Sequence, residues 1–473
     1  MIEIMMDLQG GARAPLYEKI YNYIKQEVIV GRIAHGEKLP STRLLAKNLM
    51  VSRSTVEMAY EQLLAEGYIK AEPCRGFFVC DITELYQLGE VKRQTQKVNV
   101  LPESRSDWKV NFSPYAIDTE HFPYNIWRRI HKNVLLDDRE ELLLSGNGQG
   151  DYGLRSAIAT YLHRARGVNC DPQEIVIGAG NEYLEMLLTQ VLGLGQKVLM
   201  ENPTYLQAYR TFANAGYTVE TVAAGEQGLS IDEVYQKNPD ILYIMPSHQF
   251  PMGTVMPLRQ RLKLLHWAAE AENRYLIEDD HDSEYRYRGK PIPSLQSEDS
   301  FGKVIYLGTF SKSIAPSLRI SYMVLPPGLM ERYRKNCGFY STTVPKIQQE
   351  VLRCFIEEGH FERHLNKMRG IYRTKHDFLL NLLKQYPWVK KVSGDHAGLH
   401  VLVQVDSRLG EQELCRMAGE RGMRVYGLSE YLVGEADRGR RDSVLLLGYG
   451  RLSEDDMVQG LSILNDILMQ GER

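Results

Sequence analysis

At 473 residues the chain is too long for one ordinary domain, and its length predicts roughly two to four. It is 43% hydrophobic and 25% charged, which supplies a large core, and its formal net charge of −3 neither requires nor forbids a polyanionic partner, because a local basic surface suffices. There is no long apolar run, no signal-peptide pattern in the opening MIEIMMDLQGGARAP, and no paired metal spacing among six scattered cysteines, so a cytoplasmic protein with reduced thiols, no membrane span and no metal is expected.

Pro15 opens the first predicted helix, in which Leu16, Ile20, Tyr23, Ile24 and Val28 recur at helical spacing before Gly31 stops it. Gly36 and Pro40 mark a turn, and Ser41 or Thr42 caps a short second helix. Ser52 caps a third, where Val56, Ala59, Tyr60, Leu63 and Leu64 form one apolar stripe and Arg53, Ser54 and Thr55 are left outside it. YIKAEPCRGFFV then reads as two short strands about a turn at Pro73–Gly76.

Three helices and a hairpin over residues 1–80 predict a winged helix-turn-helix, whose recognition helix presents its first turn to base edges. Between Arg32 and Val56 five basic residues stand against the single acid Glu37, the local excess that phosphate binding uses. The competing reading is a small protein-binding domain with a solvated charged face. Residues 81–110 are polar, of mixed charge and weakly periodic, and read as a tether.

In residues 111–473 helical segments alternate with short apolar strands: EIVIGAG, KVLMENP, DILYIMPS and YLIEDDHD. That alternation predicts a mainly parallel sheet with helices on both faces, and such sheets bind ligands beyond the carboxyl ends of their strands. The polar clusters all fall there. Gly180 and Asn181 follow EIVI at a helix start suited to an anion. Tyr205 follows KVLMENP and offers a flat face for an aromatic ring. Asp279 ends YLIED, where a carboxylate can pair with a protonated ring nitrogen. VIYLGTFSKSIAPSLRISYMV reads as strand, polar turn and strand, with Thr309, Ser311, Lys312 and Arg319 in the turn. A lysine among hydroxyls with an arginine seven residues on suits a Schiff-base amine beside a phosphate cup.

Two resemblances sharpen this. GEKLPSTRLLAKNLMVSRSTVEMAYEQLLAEGYI resembles the GntR-type winged-helix signature, which implies operator double-stranded DNA contacts by Ser41, Arg43, Arg53, Ser54 and Thr55, with Arg75 and Gly76 at the wing tip. TFSKSIAPSLRISYMV and the order of the clusters before it resemble fold-type-I pyridoxal-phosphate enzymes of the aminotransferase class I/II group. Winged helix and aminotransferase-like domain together resemble the MocR/GabR-type regulators, whose wording PSHQFPMGTVMPLRQR and IEDDHDSEYRY share. The resemblance implies pyridoxal 5′-phosphate held as an internal aldimine on Lys312. In it Asp279 pairs with the pyridine nitrogen and Tyr205 stacks on the ring, while Ser311, Arg319, Gly180 and Asn181 hold the phosphate. It also implies a cytoplasmic homodimer that senses an amine, an amino acid or a B6 vitamer.

The chain departs from the pattern in places. Phe250 stands where aminotransferases carry an asparagine for the cofactor's phenolic oxygen, leaving His248 or Gln249 as substitutes. His281 stands where the family usually has tyrosine, and Glu182 lies beside the phosphate turn. Gln207 replaces an arginine of GABA-sensing members, and Leu445 to Leu447 replace the strand that carries a carboxylate-binding arginine, the next being Arg451. A guanidinium–carboxylate pair is the natural seat for an amino acid, so a regulator with little or no transaminase turnover is expected. The alternatives are an active aminotransferase with an appended head and a cofactor-free scaffold.

Overall fold

In the computed structural model, residues 4, 6, 14–81, 108–136, 139–225, 228–287, 289, 292–434 and 443–471 are described. Most of the tether expected at 81–110 lies outside them. The chain divides into two compact units, Met1–Arg105 and Ser106–Arg473.

The first unit has helices Leu16–Ile29, Thr42–Leu49 and Arg53–Ala65, then an antiparallel hairpin of Ile69–Glu72 and Gly76–Val79. Both short-helix caps are serines. Ser41 Oγ accepts from the Leu44 amide at 3.2 Å and Ser52 Oγ from the Thr55 amide at 3.2 Å, each satisfying an amide that the first helical turn leaves free. Ile20, Ile24, Val56, Ala59, Tyr60 and Leu63 meet in one core, and the Tyr60 hydroxyl donates to Pro40 O at 2.9 Å. The hairpin is latched to the helices by Leu39 N donating to Phe77 O and Val79 N to Glu37 O.

The second unit is built on an eight-stranded sheet in the order Ile175–Gly178, Ser321–Val324, Val304–Thr309, Tyr275–Asp280, Ile241–Ile244, Lys197–Asn202, Thr218–Gly225, Gly228–Leu229. The five neighbouring strands from Val304–Thr309 to Thr218–Gly225 run parallel. Strand Ser321–Val324 is antiparallel to both its neighbours, and the last strand is antiparallel to Thr218–Gly225. The inner strands are largely buried and mostly apolar because both faces are covered. Ile175 and Ile177 join one core cluster and Val176 the other, as a period of two demands. The unit also holds an antiparallel sheet of four strands, Val389–Ser393, His400–Val405, Ser443–Gly448 and Tyr426–Gly427, and a parallel pair, Val110–Asn111 with Met423–Arg424.

Buried polar groups tie the sheet to what surrounds it. Arg166, at the end of helix Tyr152–Arg166, donates through Nε to Asp280 Oδ2 at 2.8 Å, through Nη2 to Ser247 Oγ at 2.7 Å, and through Nη1 to Ile292 O. Both members of the ion pair are almost wholly buried. His400 is also buried, donates through Nε2 to Pro251 O at 2.8 Å, and burial pushes its imidazole down to about 3.

Arg166→Met should cost about 3–5 kcal/mol, since it strands the Asp280 carboxylate in the interior; a urea titration giving under about 1 kcal/mol would contradict this account. His400 remains neutral in the folded state while the unfolded side chain takes a proton near its ordinary 6.5. Its contribution therefore erodes as pH falls below that value. His400→Asn should lose stability less steeply than the native protein on acidification, the gap changing by about 1.4 kcal/mol per pH unit, as measured by urea unfolding between pH 7 and 5.

Candidate functional site

In the first unit, Ser41 caps its helix and Arg43, the second residue of that helix, is exposed. Arg53 and Ser54 are exposed at the start of the third helix, with Thr55 half-buried. The Ser52 hydroxyl lies 2.8 Å from Ser54 Oγ and 2.7 Å from Thr55 Oγ1, fixing both hydroxyls at the helix entrance. Arg75 ends the hairpin turn and Gly76, at φ 111°, opens the strand that follows it. Arg53 pairs with Glu57 at 2.8 Å and Arg75 with Glu72 at 2.5 Å. Ion pairs this exposed are worth ~1 kcal/mol or less and yield readily to a phosphate.

In the second unit, one cavity of about 280 Å³ opens beyond the carboxyl ends of the parallel strands and is lined by seven of the eight candidates there: Asn181, Tyr205, Asp279, His281, Ser311, Lys312 and Arg319. Gly180 lies directly behind, at φ 99°, where a Cβ would collide with the Arg319 guanidinium. Arg319 itself adopts a left-handed φ of 50°, which turns its side chain back over the 179–182 turn. There it donates to Glu182 Oε2 at 2.5 Å and, weakly, to Ala179 O at 3.4 Å.

Asp279 is held from two sides: Tyr243 Oη donates to it at 2.6 Å and Asn181 Nδ2 at 3.4 Å. Burial pushes its carboxyl up, with His281 and the Tyr243 bond opposing. Next to it Glu185, also buried, is pushed well above the carboxylate range by burial and by Asp279. The Lys312 ammonium lies 3.5 Å from Asp282 Oδ2 and 5.6 Å from the centre of the Phe250 ring. Asp282 is wholly buried; burial alone would raise it, yet His248, His281 and Lys312 outweigh that and hold it well below the usual range. His248 Nδ1 approaches Asp282 Oδ1 at 2.8 Å. His281 Nε2 comes within 3.2 Å of the same oxygen but is misaligned, so it makes no hydrogen bond.

The imidazoles of His248 and His281 and the Asp282 carboxylate lie within 4.8 Å of one another, the spacing of a metal triad, but the Lys312 ammonium already faces that carboxylate. Buried Asn181 Oδ1, His281 Nε2 and Asp282 Oδ2 have no hydrogen-bond partner. Unpaired polar atoms around a cavity fit a polar ligand. An amine, a guanidinium, an anchored carboxylate and the rings of Tyr115, Tyr205 and Phe250 suit a small planar carbonyl compound that carries an anion.

The departures resolve unevenly. Phe250 and His281 line the cavity; His248 and Gln249 do not. Gln249 is consumed by donating to Pro203 O and accepting from the Met252 amide, both at 2.9 Å, so neither expected substitute for the asparagine reaches the space. Gln207 and Glu182 line it, Leu445 to Leu447 are buried, and Lys312 and Arg319 are the cations on its wall. Tyr115, Met245 and Pro316 on the wall, and Asp282, Tyr243 and Glu185 behind it, escaped the sequence reading. The dense run of acids in EDDHDSE was the available signal for Asp282, because so many carboxylates after an apolar strand demand partners.

Residues 107–440 match the family model described as aminotransferase class I and II, and residues 16–79 match bacterial regulatory proteins, gntR family. The chain is 39% identical over 464 residues to the HTH-type transcriptional regulator YhdI of Bacillus subtilis, covering 98% of each. It is 29% identical to the HTH-type pyridoxine biosynthesis transcriptional regulator PdxR of Corynebacterium glutamicum, over 95% of each. The structure of a Pyrococcus horikoshii kynurenine aminotransferase superimposes with a TM-score of 0.67 at 24% identity, covering 81% of this chain and 99% of that one, a likeness of fold. With a gntR-family head joined to an aminotransferase class I and II domain, and full-length kinship to HTH-type regulators, the chain belongs to the MocR/GabR-type family of transcriptional regulators.

Proposed function

We propose that this regulator binds pyridoxal 5′-phosphate at Lys312, and that occupancy of the site, by the cofactor itself or by an amine reacting with it, alters how the winged helix grips operator DNA. The convergence of Lys312, Asp279, Arg319, Tyr205 and His281 on one cavity carries this reading. Bound there, the cofactor supplies an aldehyde that condenses with primary amines and a pyridine ring that withdraws electrons. Asp279, anchored by Tyr243 and Asn181, would hold the pyridine nitrogen in its protonated form. Arg319, Ser311 and the amides at Gly180 and Asn181 would hold the phosphate, with the helix start at Asn181 adding its dipole. Tyr205 would cover the ring, and His281, whose Nε2 makes no hydrogen bond, would be free to donate to the phenolic oxygen. Asp282 keeps the Lys312 amine positioned.

The effector is a B6 vitamer or an amine without a carboxylate. Arg319 would serve the phosphate and Lys312 the aldehyde, which among the described residues leaves no further lysine or arginine on the wall for an amino acid's carboxylate. The name of PdxR, a relative linked to pyridoxine biosynthesis, favours the vitamer. For the same reason turnover as an aminotransferase is minimal. The working unit is a homodimer: Leu143, Leu144 and Phe339, at 81%, 65% and 77% exposure, present apolar surface that a second copy would cover. Gly148 packs on the Tyr340 carbonyl, which brings those two segments to the same face. Two heads suit a repeated or palindromic operator in the cytoplasm. A ligand switches such a protein only if it binds two conformations unequally.

Purified protein mixed with the cofactor should give a visible absorbance band reducible by borohydride, and Lys312→Ala should abolish it; a band that survives the substitution rules out this lysine. Operator affinity measured with and without the cofactor should differ at least about fivefold. Arg53→Ala should weaken operator binding and lower the salt dependence by about one counterion. Multiple turnovers with an amino donor and keto acid at about 1 s⁻¹ or faster would establish the enzyme reading instead.

A further inference from the structure

The phosphate end of the cavity contains a group that no phosphate cup needs. Glu182 is the second residue of helix Asn181–Leu192, at the end where the free amides point, and its carboxylate is bonded to Arg319 at 2.5 Å. Both side chains stand at the cavity wall and are about half exposed. The guanidinium lies against Gly180 and reaches Ala179 O, so the ion pair closes the 179–182 turn onto the segment carrying Arg319.

We propose that Glu182 is an affinity-setting residue: a carboxylate that occupies the phosphate-binding arginine in the empty site and repels the phosphate in the filled one. This rests on the cofactor reading above. An exposed pair is weakly held, so the phosphate captures Arg319 at small cost. The carboxylate then remains beside a dianion at a helix start, where like charge opposes binding. The consequence is a cofactor held loosely enough to come and go, with discrimination against phosphorylated ligands built into the site. Exchange of Arg319 between Glu182 and phosphate also releases the 179–182 turn, a local charge event of the kind that biases a two-state element.

The test is a visible-absorbance titration of the full-length protein with pyridoxal 5′-phosphate and, separately, pyridoxal. Glu182→Gln should tighten the phosphorylated vitamer at least about tenfold while moving pyridoxal less than about twofold. Glu182→Asp should stay near the native ratio, and added salt should narrow the gap between native protein and Glu182→Gln. An affinity ratio between the two vitamers that Glu182→Gln leaves unchanged overturns the inference while the cofactor reading stands. Failure of either vitamer to give a Lys312-dependent band overturns both.

Discussion

A buried strand that ends in acids sets the terms for the whole second unit. Glu278, Asp279, Asp280, Asp282 and Glu284 fall within seven residues at the exit of strand Tyr275–Asp280, in the middle of an apolar sheet. Each must find a proton, a hydrogen bond or a counter-charge, because an unpaired carboxylate there costs more than the strand's packing returns. The solutions differ. Glu278 accepts the amides of Leu295 and Gln296 at 2.8 and 2.9 Å, and burial raises it to about 7. Asp280 takes Arg166 and the Tyr306 hydroxyl. Asp279 lines the cavity, held by Tyr243, and Asp282 stands behind the wall against His248 and Lys312. The scaffold's pairing problem and the site's chemistry are one arrangement.

Much of this was legible from residue order. The serine caps, the apolar stripe of the third helix and the hairpin follow from local rules, and the first unit obeys them closely. Strand–helix alternation gave the parallel sheet, and the cluster positions after strands placed seven of eight candidates on one wall. Three kinds of feature were hidden. Partners far apart in the chain, such as Arg166 with Asp280 or His248 with Asp282, leave no local trace. The left-handed backbone at Arg319 is unusual for a long side chain, and nothing in SLRIS announces it. The fate of Gln249 depended on which neighbouring backbone groups needed a donor, which only the folded turn reveals.

Phe250 shows how one substitution changes the character of a site. Its ring is surrounded by Tyr205, Tyr431, His281 and His400 and lies under the Lys312 ammonium. An asparagine there would bring an amide dipole; a phenyl ring brings hydrocarbon and a quadrupole. The polar work near the lysine passes to Asp282 and His281 instead.

The tight fit at Gly180 constrains how this protein can change over generations. At φ 99° and with the guanidinium lying over its α-carbon, position 180 favours glycine over any residue with a side chain. Two residues along, Glu182 stands half-exposed at the cavity wall with its carboxylate on Arg319. Selection can retune the strength of ligand capture there by exchanging one half-exposed side chain, leaving the architecture underneath undisturbed.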